Sequence, residues 1–526
     1  MTLSQIAEND RRSLREGYGA GIDTGWEVLI GADTAALEHW LPEIVEAIGS
    51  STNDGGSWFA LMEALLLMLR QHVHLWPYEE IDAWDDDCDV AVGFDDLVTE
   101  SSSGRVGTER SGRIAQYIIA QQSTPVSSGR ALWLARRLAI SIDENIFDSY
   151  VDWARQAVTM TIEPGRAYPV ASINPTIWMD GSANTRPEHR DSLLPERGIY
   201  HVRIGEEHHD SYRITLDWSL SGQLATILDQ HSLRMMTFHA NQSSDEFGIA
   251  FDPVKLTAIN NGPKDRSKQI SALSAMFELA AEHGANVIVV PEYCLNVDSR
   301  HEFIQSASVL PFAIISGGSG RSADYNEGAL FISRNGRSHE LNFLKLHRAR
   351  FFGYDEEIHR THEVTVWRSD PLALAVLICR DAQDDKLIDI LADVGVNLCL
   401  VPSFSDRAAN ITGMVETLSI RSQAFVVVAV SPREFHIPPE IAAGRPTEGR
   451  PRRERAAPAD AEKDQEPEDL IFTRDLDAFF SGPYGDDSGP PQIYAPGTPV
   501  HCSPAGATPG VWLFDSRGRI ATWFPV

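Results

Sequence analysis

Cysteine is scarce in this chain. There are five in 526 residues, Cys88, Cys294, Cys379, Cys399 and Cys502, and no two form a CxxC pair. Such a sparse, odd set excludes a disulfide scaffold and a cysteine-built zinc site, and it suits a reducing compartment. Basic residues are also few: 45 Lys and Arg stand against 75 Asp and Glu, for a formal charge of −30. A surface of that sign repels phosphate backbones, so direct nucleic-acid binding is not expected. No apolar run approaches the roughly 20 residues that cross a bilayer. The opening MTLSQIAENDRRS lacks the apolar core of a secretory signal. A cytoplasmic location with no membrane contact is the expectation. The chain shows no internal repeat.

What is present is an ordinary globular composition, 43% apolar and 23% charged, on a chain long enough for several domains. Residues 1–160 read as a mainly helical domain. In 57-SWFALMEALLLMLRQHV-73 the apolar positions follow the helical period. The stretch 41–49 reads as a helix with Pro42 in its first turn, and 109–122 and 127–160 supply more, with a break near Ser141–Asp143. Residues 161–251 read as a mixed linking subdomain. From 252 to 526 strands and helices alternate as in α/β proteins. The expected strands are 253–260, 286–293, 311–318, 396–404 and 425–431, with helices over 264–285, 383–394 and 411–424. A hairpin is written over 327–346, turning at Asn335–Gly336. The segment near 436–508 is rich in Pro, Arg, Glu, Ala and Asp, and reads as a flexible insertion before a last strand pair over 510–524.

Three reactive residues stand where apolar strands meet polar sequence. Glu292 follows VIVVP, Lys345 lies within LNFLKLH, and Cys379 closes LAVLI. Together they suit one chemistry. A carboxylate takes the thiol proton, the thiolate attacks an amide or nitrile carbon, and an ammonium stabilises the charge that develops. An isolated thiol is mostly protonated at neutral pH and needs such partners.

The order of these segments resembles the carbon–nitrogen hydrolase (nitrilase) superfamily, in the C-terminal half only. The residues that carry the resemblance are GANVIVVPEY, YNEGALFISRNG, FLKLH, VLICRDAQ, GVNLCLVPS and GVWLFDSRGRI, in that order. The resemblance implies an α-β-β-α sandwich, preceded here by the helical N-terminal domain, and pairing into homodimers or larger homo-oligomers. It implies a Glu–Lys–Cys triad without metal or organic cofactor: Glu292 the general base, Lys345 the oxyanion stabiliser, Cys379 the nucleophile. It also implies a second glutamate after the lysine. Glu356 and Glu357 both qualify, and Glu356 is preferred. Arg380 stands where the family often has an aromatic residue, and Val430 and Ser431 stand where it often has asparagine. The expected activity is hydrolysis of a non-peptide C–N bond, an amide in preference to a nitrile, with acyl transfer left open.

Plainer readings accompany these. His72, His74, His208 and His209 read as surface histidines rather than metal ligands, and Asp85–Asp89 as a solvated acidic loop. The glycines of 316-SGGSGRS-322 read as a strand exit, since no Gly-Lys-Ser/Thr follows. Cys399 reads as core and Cys294 as a residue near the pocket. The basic run over 445–455 reads as part of the insertion. The rival to an enzyme is a ligand-sensing or scaffolding module in a regulatory or defence protein, with the N-terminal domain binding a protein partner.

Overall fold

The computed structural model describes residues 37–49, 57–72, 75, 84, 88–99, 106–122, 127–146, 157–170, 199, 201–206, 211–228, 233–335, 337–351, 354–369, 372–405, 411, 417–418, 422, 424–432, 435–436, 469–472, 500–502, 510–515 and 520–525. It divides into two compact units, Met1–Ser172 with Arg186–Ser219, and Ile173–Thr185 with Leu220–Val526.

The first unit contains helices α1 (Leu37–Gly49), α2 (Ser57–Gln71), α3 (Cys88–Thr99), α4 (Thr108–Gln121) and α5 (Ser128–Asn145). It also holds the short strands β1 (Thr159–Thr161), β2 (Ala167–Pro169), β3 (Val202–Ile204) and β4 (Arg213–Asp217). Helix α2 is apolar nearly all round, so it forms the centre, with Trp58, Leu61, Met62, Leu65 and Leu69 sealed from solvent. Its buried Glu63 is satisfied by the Ala167 backbone N–H, 2.8 Å away.

Three expectations are corrected here. Helix α1 starts at Leu37, so Pro42 lies inside it rather than in its first turn. Helix α5 runs unbroken through Ser141–Asp143 to Asn145. The polar residues there face neighbours instead of ending the helix. Ser141 and Asn145 donate to the Asp95 carboxylate of α3, and Asp143 accepts from the His201 backbone N–H at 3.1 Å and pairs with its ring at 3.0 Å. His72 is buried, not on the surface. His74, His208, His209 and residues 85–87 lie outside the described residues, as do most of 411–424, 436–508 and the run 445–455.

The second unit is built on two sheets. One has strand order β11-β10-β9-β8-β5-β20-β21, with β5 Arg234–His239, β8 Val287–Val289, β9 Phe312–Ser322, β10 Tyr325–Arg334, β11 Arg337–Leu344, β20 Gly510–Asp515 and β21 Ile520–Pro525. The other contains β14 (Glu363–Ser369), β15 (Leu372–Val376), β16 (Leu398–Ser403), β17 (Phe425–Val430), β18 (Asp469–Phe472) and β19 (Val500–Cys502), in that spatial order. Strand β5 lies upstream of residue 252, where the sequence reading starts this domain. It pairs in parallel with β8, Met235 opposite Val287.

Alternate residues of both sheets meet in one core. Met235, Val287, Val289, Ile314 and Leu330 from the first pack with Leu374, Val376, Leu398, Leu400 and Val427 from the second. Burial on this scale dominates the folding free energy, at about 25 cal/mol per Å² of apolar surface. The opposite face of the first sheet is covered by helices α7 (Arg266–Glu282) and α8 (Arg300–Ala307), following the short α6 (Ser221–Leu228). There Phe238, Ile288, Ile315 and Phe331 pack with Leu273, Met276, Phe277 and Phe303. Helix α9 (Asp385–Asp393) is the crossover between parallel β15 and β16. The inner face of that sheet is already filled, so α9 lies outside it. The layers are therefore helix, sheet, sheet, helix. A small side sheet, β12-β13-β7-β6, is formed by Arg350–Phe351, Tyr354–Glu356, Thr257–Pro263 and Phe247–Asp252.

Candidate active site

Glu292 leaves the end of β8 through Val290 and Pro291. The next residue, Tyr293, has left-handed backbone (φ 63°), which turns the chain sharply. This loop lies directly on β9. A Cβ at Gly318, whose own φ is 74°, would stand 2.2 Å from the Pro291 carbonyl oxygen, and one at Gly320 the same distance from that of Leu295. Only glycine lets the two backbones approach so closely. The glycine-rich stretch is thus not a strand exit, since β9 continues through it to Ser322.

Lys345 directly follows β11, and its backbone N–H extends the hairpin ladder to the Asn326 carbonyl at 2.9 Å. Glu356 ends β13. Cys379 lies three residues past β15, on a tight turn with left-handed φ of 49°. Non-glycine residues seldom hold that conformation, and it recurs at functional sites. Asp381 closes the turn. Its carboxylate accepts from the backbone N–H groups of Leu346 at 3.1 Å, His347 at 2.8 Å and Ile378 at 3.2 Å. One side chain thereby ties the lysine segment to the cysteine turn.

These elements bring Glu292, Lys345 and Glu356 together in a cluster sealed from water. The Lys345 Nζ lies 2.6 Å from Glu292 Oε1 and 2.8 Å from Glu356 Oε2. Asn326 Nδ2 donates to both carboxylates, at 2.8 Å to Glu292 and 3.1 Å to Glu356. The remaining acceptors are also met: Phe404 N–H reaches Glu292 Oε2 at 2.9 Å, Ala349 N–H reaches Glu356 Oε2 at 2.8 Å, and the Tyr293 hydroxyl donates to Glu356 Oε1. Every carboxylate oxygen has a donor, which is what burial of charge requires. The Cys379 thiol points to the Phe404 carbonyl at 3.8 Å, so one residue holds the base by its N–H and the thiol by its C=O. Glu357 lies outside the cluster, accepting from Thr257 Oγ1 at 2.8 Å.

The electrostatics follow from this packing. Two carboxylates share one ammonium. Burial raises the Glu292 carboxyl to about 7, with Lys345 pulling it down and Glu356 pushing it further up. Burial opposes the Glu356 charge as well, but the Lys345 ammonium and the Tyr293 and Ala349 donors hold that carboxyl below its ordinary value. Burial works against the Lys345 ammonium, yet the charges of Glu292 and Glu356 hold its pKa above the usual lysine value. Burial, then the Glu292 charge, push the Cys379 thiol up to about 12 against the pull of Lys345. A thiolate formed by loss of its proton to water would add charge to an already negative cluster. Passing the proton to Glu292 leaves the cluster's charge unchanged, so that is the low-cost route.

Cys379 is 4% exposed. Beside its turn lies a cavity of about 390 Å³ lined by His347, Arg348, Arg350, Asp355, Arg360 and Arg380. These are chain neighbours of Lys345, Glu356 and Cys379. Cys294 does not line it; its thiol is buried against Asn241 Oδ1 at 3.3 Å, and Cys399 is buried within β16. Among the described residues no group of three or more His, Cys, Asp or Glu is placed to hold a metal ion. No described helix is long and apolar enough to cross a membrane.

The sequence reading assigned no role to Tyr293, Asn326, Asp381 or Phe404. Asn326 and Asp381 are charged or polar residues beside apolar strand ends, the same signal that marked the other three. Phe404 acts through its backbone, which no side-chain code announces.

No protein-family model matches this chain, and no curated protein matches it. Part of the chain is similar to solved structures of the nitrilase superfamily. A mutant amidase of that superfamily from Nesterenkonia is 11% identical with a TM-score of 0.30, over 39% of this chain and 78% of that one. Saccharomyces cerevisiae Nit3, a member of branch 10 of the superfamily, is 16% identical with a TM-score of 0.28, over 38% of this chain and 76% of that one. A carbon–nitrogen hydrolase from Helicobacter pylori is 12% identical with a TM-score of 0.30, over 46% of this chain and 82% of that one.

Proposed function

We propose that the second unit is a thiol hydrolase of the nitrilase type, cleaving a non-peptide carbon–nitrogen bond, an amide in preference to a nitrile. The observation that carries this reading is the sharing of the Lys345 ammonium by two buried carboxylates, with Glu292 joined to the Cys379 thiol through Phe404. The order of the motifs along the chain supports it independently.

In the first half-reaction Glu292 takes the thiol proton as Sγ bonds to the amide carbon. The carbonyl oxygen gains negative charge, and the Lys345 ammonium stabilises it. The tetrahedral species collapses, the C–N bond breaks, and the proton held by Glu292 passes to the leaving nitrogen. Ammonia or an amine departs and a thioester remains on Cys379. In the second half-reaction Glu292 takes a proton from water while the hydroxide oxygen bonds to the thioester carbon. The C–S bond breaks, the sulfur regains its proton from Glu292, and a carboxylic acid leaves. A carboxyl raised to about 7 is suited to both the basic and the acidic half of this cycle near neutral pH. Glu356 touches Lys345 rather than the reacting atoms and serves to position it.

The test is ammonia release from a panel of small amides and nitriles by the full chain, with Cys379→Ala as control. Release from amides that vanishes in the variant is the expected result. Release that persists undiminished in Cys379→Ala would overturn the reading.

A further inference from the structure

The cavity beside the Cys379 turn is basic in a chain that carries a formal charge of −30. Arg348, Arg350, Arg360 and Arg380 line it, with Asp355 the only acid among the lining residues. That acid is already engaged, its Oδ1 lying 3.3 Å from Arg350 Nε. His347 is held by Asp381 at 3.2 Å and Asp384 at 3.3 Å, so its ring faces those acids. Arg348 is fixed by a 2.8 Å bond from Nε to the Ile358 carbonyl, which leaves four further N–H donors on its guanidinium. Among the described residues the guanidinium groups of Arg360 and Arg380 have no hydrogen-bond or ion-pair partner.

Like charges crowded around one hollow repel each other, and of the four arginines only Arg348 and Arg350 make contacts, among the described residues, that tie down the local fold. Guanidinium groups suit carboxylate and phosphate geometry, since their N–H donors lie in a planar fork. The cavity, at about 390 Å³, is of small-molecule size. A polyanion such as nucleic acid would have to approach against the charge of the whole molecule. None of the cluster residues or Cys379 lines the cavity, but its lining residues adjoin them along the chain. Arg380 is bonded to Cys379, so their Cα atoms lie about 3.8 Å apart. Arg348 stands three residues beyond Lys345, and Asp355 immediately precedes Glu356.

We propose that this cavity binds an anionic group, carboxylate or phosphate, carried by the substrate, so that the chain acts on amides bearing a negative charge at the end remote from the scissile bond. The inference rests on the hydrolase reading for its chemistry. The anion stays outside the sealed cluster, where its charge does not oppose the Cys379 thiolate, and it orients the amide carbon toward the sulfur. The aromatic position of the family resemblance is occupied here by Arg380 because the group it meets is charged.

The experiment compares, with the full chain, ammonia release from three amides of similar length: succinamate, 3-phosphonopropionamide and neutral butyramide. Binding of the same compounds to Cys379→Ala is measured by calorimetry. We expect kcat/KM for at least one anionic amide to exceed that for butyramide by about 30-fold or more, falling with added salt. Carboxylate preferred over phosphonate, or the reverse, identifies the anion. In Arg380→Gln and Arg360→Gln the anionic-to-neutral ratio drops about tenfold, with partial recovery in Arg380→Lys. Equal kcat/KM for anionic and neutral amides overturns the inference and leaves the hydrolase reading intact. Calorimetric binding of an anionic amide that the arginine variants lose, without turnover of any amide, supports the anion site while the hydrolase reading fails. Anion binding that the arginine variants leave unchanged places the site elsewhere and overturns the inference.

Discussion

The Lys345 ammonium and the Glu292 carboxylate lie 2.6 Å apart, both shut off from solvent, although 53 residues separate them in the chain. A pair so placed serves structure as well as chemistry, and its two roles separate in different measurements.

Replacing Lys345 with methionine keeps the apolar stem and removes the charge. Glu292 and Glu356 then face each other with no cation between them. Breaking a buried pair in this way costs about 3–5 kcal/mol. Urea unfolding of Lys345→Met is expected to show that loss, together with loss of amide turnover. An unchanged unfolding midpoint would show that the lysine does not hold the carboxylates.

The pH dependence of kcat/KM follows from the base. Glu292 must be ionised to accept the thiol proton, and burial raises its carboxyl to about 7. Below that value the rate is expected to fall about tenfold per pH unit as the carboxyl is protonated. Above it the rate levels off. A limb centred near the ordinary glutamate range instead would mean that another group limits the reaction. In Glu292→Gln the limb disappears with the activity, a loss of about 10²–10⁴.

Asp381 reaches no reacting atom, yet it joins the Lys345 segment to the Cys379 turn. Asp381→Asn retains the shape but turns one acceptor into a donor facing backbone N–H groups. Stability is expected to fall by about 1–3 kcal/mol. The effect on turnover should appear in kcat more than in KM, because the variant misplaces the nucleophile, while among the cavity-lining side chains it loosens only His347, which keeps its contact with Asp384. A pure KM effect would assign Asp381 to substrate binding.

Gly318→Ala tests the loop that carries Glu292. The added methyl would stand 2.2 Å from the Pro291 carbonyl on a backbone of φ 74°. Both strain and clash act on the same loop, so lower thermal stability and lower turnover are expected together. Gly112, with open space around its Cα, is the matched control, and its alanine variant should leave turnover unchanged. Wild-type behaviour of Gly318→Ala would mean that the loop has room the structure does not show.

Much of the second unit was legible from pattern. Buried strands such as Leu398–Ser403 and Phe425–Val430 are apolar on both faces because each lies between two packed layers. Glu292, Lys345 and Cys379 stand out as reactive types at strand ends, whereas Glu356 enters only through the family resemblance, and over Glu357 by preference alone. The structure brings Glu356 to Lys345, and burial is the physical difference between the two acids. Strand Arg234–His239 escaped notice because MMTF is too short and too unmarked to announce its place beside β8. The supposed break at Ser141–Asp143 was misread because a polar cluster in a helix looks the same whether it meets solvent or a partner such as Asp95. The basic cavity was illegible for a different reason: its arginines are scattered from Arg348 to Arg380 and converge only through the turns that position the cluster.

The most direct measurement is intact-mass spectrometry of the full chain, acid-quenched during turnover of an amide and after treatment with an electrophilic amide mimic. The account predicts a single acyl adduct that peptide mapping assigns to Cys379, absent in Cys379→Ala and formed more slowly in Glu292→Gln. An adduct mapping to Cys294 or another cysteine, or one that survives in Cys379→Ala, would contradict it.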